Sequence, residues 1–94
     1  LKAIKNVLRE NFVLEEFRHS AYEDRALPIV SGQTISQPYT VAFMLQELEL
    51  KVGDNVLEIG SGSGWNSALI GFITKRMVFC QQNGNMTGLK LNYY

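Results

Sequence analysis

The chain has 94 residues, 46% of them hydrophobic and 19% charged, a composition that forms a modest core and excludes a disordered polymer. Nine basic residues balance nine acidic ones, so no broad field draws in nucleic acid or an anionic membrane. No apolar run nears the roughly 18 residues that span a bilayer, Leu1-Lys2-Ala3-Ile4 does not open a signal peptide, and the lone Cys80 excludes an internal disulfide and a structural zinc site, so a cytoplasmic chain without metal is expected.

Leu1, Ile4, Leu8 and Phe12 recur at spacings of three and four, which predicts an opening helix with one apolar face. A second short helix is expected over residues 14–22, with Phe17 and Ala21 on one face and Glu15 and Glu16 in the first turn. Residues 24–37 hold Pro28 and Gly32 without helical periodicity, and read as an extended loop with a short strand at 27–30. A third helix is predicted over 38–50, opened by Pro38 and burying Val41, Leu45 and Leu48. Val52-Gly53-Asp54-Asn55 is a turn, and it leads into a strand at 55–59. Gly60-Ser61-Gly62-Ser63-Gly64 follows, then a helix over 65–74 and a second strand at 77–80. The remainder, 81–94, is rich in Asn, Gln and Gly without sustained period. Organisation is expected as one incomplete domain: a helical and loop region at 1–53, strand, glycine loop and helix at 54–76, and an atypical tail at 77–94.

Strand, alternating glycines, then helix describes a backbone that must approach something closely. Glycine permits positive φ in such a turn, and the amides of the following helix point outward at polar groups. The spacing G-x-G-x-G differs from the G-x-G-x-x-G of dinucleotide folds, and Glu58 stands two residues before the first glycine. An acid there repels a pyrophosphate. It suits hydroxyls, amides or the cationic end of S-adenosylmethionine, either directly or by bracing the loop. A glycine turn without a ligand is the competing reading.

Upstream stand Ala21-Tyr22-Glu23-Asp24-Arg25-Ala26-Leu27-Pro28-Ile29 and Gly32-Gln33-Thr34-Ile35-Ser36-Gln37-Pro38-Tyr39. With Val56-Leu57-Glu58-Ile59-Gly60-Ser61-Gly62-Ser63-Gly64-Trp65, these segments over residues 1–75 resemble the protein-L-isoaspartate O-methyltransferase family, in the same order and at similar separations. The resemblance implies an α/β, Rossmann-like S-adenosylmethionine-dependent methyltransferase fold, truncated to its N-terminal helices, first strand and glycine loop. It implies an enzyme that moves a methyl group from S-adenosylmethionine to the α-carboxyl of L-isoaspartyl residues in damaged proteins, with the 94-residue chain itself inactive. By resemblance Ser36 is the catalytic residue, a hydrogen-bond donor to the substrate carboxylate. Gln33, Thr34, Ile35, Ser36, Glu58, Gly60, Ser61, Gly62 and Gly64 match the segments beside the cofactor. A non-catalytic remnant or interaction fragment is the alternative, and another small-molecule methyltransferase a weaker one.

Several residues have two readings. Ser36 precedes a helix, where serine is a favoured cap. Trp65 either stacks near the cofactor or opens its helix in the core. Asp24 and Arg25 read as a solvated or loop-bracing pair, His19 as a partly exposed helical residue and Cys80 as a buried thiol. One departure from the family pattern stands out. The second strand of nucleoside-binding folds ends in an acid that holds the ribose, the family usually has glutamate there, and here no acid follows Glu58 and Gln82 lies near that position.

Overall fold

The computed structural model describes residues 2–29, 32–60, 62–76, 78–82 and 85–89. Its order is helix α1 (Lys2–Asn6), two 3-10 helices (Arg9–Phe12 and Glu15–Ser20), strands β1 (Leu27–Pro28) and β2 (Thr34–Ile35), helix α2 (Pro38–Leu48), strand β3 (Leu57–Ile59), helix α3 (Trp65–Thr74), and strands β4 (Val78–Gln82) and β5 (Asn85–Leu89).

The opening helix is shorter than its periodicity predicts. Leu8 turns extended at φ −74° and ψ 109°, the chain restarts as a 3-10 turn, and Val7 rather than Leu8 enters the core. A hydrogen bond from the Arg9 amide to the Tyr22 hydroxyl (3.0 Å) fixes this break. Residues 15–20 are helical as expected, though wound as 3-10. The loop that follows holds the short strand expected at 27–30, as β1 at Leu27–Pro28, and pairs it in a hairpin with a second strand, β2, that the sequence does not announce. Leu27 pairs with Ile35 and Pro28 with Thr34, and the Ile29 amide donates to the Gln33 carbonyl at 2.8 Å.

Helix α2 begins at Pro38 as predicted and ends at Leu48, where Glu49 takes a left-handed conformation. It buries Val41 and Leu45, but Leu48 is 59% exposed. Met44 and Leu48, four residues apart, lie along a different stripe of the helix, which faces a cleft and not the core. The turn at 52–55 forms with the Gly53 amide bonded to the Thr74 carbonyl at 2.7 Å. It feeds β3, and α3 spans the predicted residues. Strand β4 then lies parallel to β3, with Leu57 opposite Phe79 and Ile59 opposite Gln81. This β–α–β crossover is the repeating unit of Rossmann-like sheets. Strand β5 pairs antiparallel on the other side of β4, giving the order β3-β4-β5.

The core sits between α1, α2, α3 and the hairpin. Ala3, Val7, Leu27, Ile35, Val41, Leu45, Trp65, Ala68, Leu69 and Ile70 form one buried cluster. One charged residue, Arg9, is fully buried beside it.

Candidate functional site

Strand β3 delivers Glu58 to the edge of the glycine loop. Gly60, Gly62 and Gly64 adopt φ of 77°, 53° and 89°, a region other residues enter only with strain. A Cβ at Gly60 or Gly62 would meet no atom within 4 Å, so both border open space, and the backbone conformation rather than crowding requires glycine. Gly64 instead packs against the Phe12 ring and its carbonyl accepts the first helical bond of α3, from Ala68 at 2.9 Å. The Ser63 hydroxyl, one residue before the cap position Gly64, accepts the Trp65 amide at 3.2 Å.

Glu58 reaches across this loop. Its Oε2 accepts from Asn66 Nδ2 at 2.6 Å, and its Oε1 accepts from the Ser67 hydroxyl. Strand end and first helical turn are thereby clamped together, and bracing is the role this geometry gives Glu58. Asn66 and Ser67 escape a motif search. Their trace in the sequence is a polar pair at the head of an otherwise apolar helix.

The facing wall comes from the hairpin. Ile35 buries its side chain in the core and so pins the backbone on either side, Thr34 and Ser36, which are exposed. Ser36 does not cap α2. The cap position is Gln37, and the free amide of Tyr39 donates to Asp24 Oδ1 at 2.9 Å. Among the described residues the Ser36 hydroxyl has no hydrogen-bond partner, while its carbonyl accepts from Arg9 at 2.9 Å. The capping reading of Ser36 therefore gives way, while Asp24 and Arg25 are both exposed and brace the loop, Asp24 through the start of α2 and Arg25 through Glu23 at 2.8 Å.

These walls enclose a cleft of about 260 Å³. Thr34, Ile35 and Ser36 line one side, Glu58, Gly60 and Gly62 the other, and Met44 and Leu48 of α2 lie along it. Six of the candidate residues thus meet at one place. Gln33 does not line the cleft, and its carbonyl closes the hairpin. Gly64 lies under Phe12, and Ser61 is outside the described residues. Trp65 borders the cleft but is 1% exposed, and belongs to the core. His19 is exposed on the second 3-10 helix. The side chain of Cys80 is outside the described part; Gln82 ends β4, one residue beyond the Ile59–Gln81 pair and so level with the start of the glycine loop.

Arg9 was legible only as one more basic residue. Its guanidinium donates through Nε to the Ala21 carbonyl, and through its terminal nitrogens to the carbonyls of Ser36 (2.9 Å) and Arg25 (3.4 Å). It also lies 4.5 Å from the centre of the Trp65 ring. Burial pushes its pKa below the ordinary arginine value, against the opposing pull of Tyr22 and Asp24.

The model of the protein-L-isoaspartate(D-aspartate) O-methyltransferase family matches residues 1–86, past the point at residue 75 where recognisable motifs end. A protein-L-isoaspartate O-methyltransferase of Pectobacterium carotovorum is 54% identical over 77 residues, covering 82% of this chain and 37% of that protein. One from Ignicoccus hospitalis is 55% identical over 69 residues, covering 73% of this chain and 33% of that protein. The chain spans about a third of the length of the curated relatives it matches. Among solved structures, a protein described as a Plasmodium falciparum protein-L-isoaspartate O-methyltransferase, in complex with S-adenosyl-L-homocysteine, superposes with a TM-score of 0.65 at 30% identity. That match covers 74% of this chain and 31% of that one.

Proposed function

The chain belongs to the protein-L-isoaspartate(D-aspartate) O-methyltransferase family, and from that premise we propose that its cleft serves methyl transfer from S-adenosylmethionine to the α-carboxyl of L-isoaspartyl residues in damaged proteins. The observation that carries this reading is the meeting of Ser36 with Gly60 and Gly62 across a single cleft. The open space beside the two left-handed glycines fits a cofactor lying against bare backbone. When bound, S-adenosylmethionine supplies an activated sulfonium methyl.

The chain's own residues have a limited task. A carboxylate ionises near pH 4, so the acceptor needs no general base at neutral pH, and no histidine lines the cleft. Ser36, with its hydroxyl unengaged, donates a hydrogen bond that orients the acceptor oxygen. Thr34 and Ile35 hold the adjoining backbone in line. Glu58, clamped by Asn66 and Ser67, keeps the glycine loop in one shape. Met44 and Leu48 exclude water along the wall. Orientation of this kind supplies up to about 7–11 kcal/mol in well-aligned systems. The partners are then proteins carrying isoaspartyl residues, and the setting cytoplasmic. Among the described residues no helix is long and apolar enough to cross a membrane.

A second reading, a non-catalytic interaction fragment, draws support from Gln82, which ends β4 without the charge that would hold a ribose. One experiment separates the two. This chain's matched segment replaces the equivalent segment of the Pectobacterium relative, and methyl transfer to an isoaspartyl peptide is measured with and without Ser36→Ala. The expected result is turnover that falls at least about tenfold in the variant, with cofactor affinity within about threefold, because a donor aimed at the acceptor contributes roughly 1.5–3 kcal/mol. Equal turnover would remove Ser36 from the chemistry. No turnover in either protein would favour the non-catalytic reading.

A further inference from the structure

Arg9 is the one charged side chain buried completely among the described residues, and neither ion pair of the structure includes it. A core gains nothing from such a residue by packing alone, since an apolar side chain of similar volume avoids the desolvation cost. Trp65 is a second costly choice, because its buried Nε1 has no hydrogen-bond partner among the described residues. The two costs have a common explanation in their contact: indole is the best ring face for a cation, and the guanidinium lies 4.5 Å from its centre.

The remaining contacts of Arg9 give that stack a direction. Trp65 is the first residue of α3, directly after the glycine loop, and Ser36 is on the opposite wall of the cleft. The planar fork donates to the Ser36 carbonyl at 2.9 Å while its face rests on Trp65, so one rigid group touches both walls from behind. The bonds to the carbonyls of Ala21 and Arg25 fix the fork's own orientation. We propose that Arg9 is a positioning residue that sets the spacing between the Ser36 segment and the glycine loop, an inference that rests on the reading of Ser36 as the acceptor-side residue. Lysine would keep the charge over the ring and lose the fork, so it separates the two contributions.

Nitrogen-15 NMR of the 94-residue chain and its Arg9→Lys variant tests the geometry. In the wild-type chain the Arg9 Nε proton should exchange slowly and be shifted upfield by the Trp65 ring. In the variant the amides of Ser36 and Gln37 and the Trp65 indole should shift, while those of Gly53 and Asp54, bonded to Thr74 and Lys51, stay in place. A fast-exchanging Nε proton in the wild type, or unmoved Ser36 and Gln37 amides, would overturn the proposal. Should the variant not fold, the wild-type Nε proton decides alone. In the grafted enzyme, Arg9→Lys should lower kcat about tenfold with the KM for S-adenosylmethionine within about twofold, the pattern of a misplaced acceptor. An unchanged kcat would overturn the positioning role, whereas a wild-type graft without turnover would overturn the methyl-transfer reading and leave the NMR result to judge Arg9.

Discussion

Tyr22 holds the break between α1 and the first 3-10 helix, accepting the Arg9 amide and donating its hydroxyl proton to Glu10. Burial, followed by the bond to Glu10, raises the phenol's pKa, and the same bond lowers that of Glu10. A raised pKa means that stabilisation is complete below the unfolded value, about 10 for tyrosine, and disappears as pH climbs through the higher folded value. For Glu10 the order is reversed: its contribution is present above the unfolded value, about 4.3, and is lost as pH falls through the lower folded one. Ultraviolet titration of tyrosinate should therefore show a late component that Tyr22→Phe removes, and the wild type should lose thermal stability over the same alkaline window. An identical curve, merely reduced in amplitude, would contradict the contact. Ser36 and Glu58 were legible because motif residues keep fixed neighbours. Arg9 was not, because its partners are backbone carbonyls 12 to 27 residues away, and carbonyls leave no mark on side-chain pattern.

The helices and strands show the same division. Helix α3 follows the glycines over the predicted residues because local pattern and burial agree. Strand β1 lies within the stretch expected to be extended, but its partner β2 is two residues long, too short for alternation to register. Leu48 was misplaced because a helix with two apolar stripes does not declare which one faces a core and which a cleft. Helix α2 also borrows its N-terminal acceptor from Asp24, 15 residues upstream, where capping rules search nearby. Asp24→Ala should cost about 1 kcal/mol and lower the melting temperature by roughly 4–8 °C. Ser36→Ala should leave it nearly unchanged. The reverse ranking in a thermal melt would return the capping role to Ser36.

Taken together, the chain presents apolar surface on α2 and on β3 outside its core. Phe43, Met44 and Leu48 are exposed along α2, and Leu57 and Ile59 along β3, which is an edge of the described sheet. Unpaired strand edges and contiguous apolar faces both drive association. Sedimentation velocity should show self-association of the 94-residue chain at roughly 10–100 µM. Ile59→Lys, which places a charge on the most exposed of these residues, should shift it toward monomer. A monomer across that range in the unsubstituted chain would contradict the exposed-edge argument. Of the apolar positions that the sequence period picks out, Ala21, Val41 and Leu45 are buried, Ile4, Phe12 and Phe17 half-buried and Leu8 and Leu48 exposed, because pattern records hydrophobicity and not what covers it.

The bond from the Gly53 amide to the Thr74 carbonyl has a kinetic consequence. It closes β3, the glycine turn and α3 into one short loop of chain, and short closures cost little entropy and form early. The contact that brings Ser36 to that unit runs through Arg9 to Trp65, a much longer closure than Gly53 to Thr74, so it condenses later. The glycine-loop wall of the cleft is a local product of the chain, and the Ser36 wall has to wait for it.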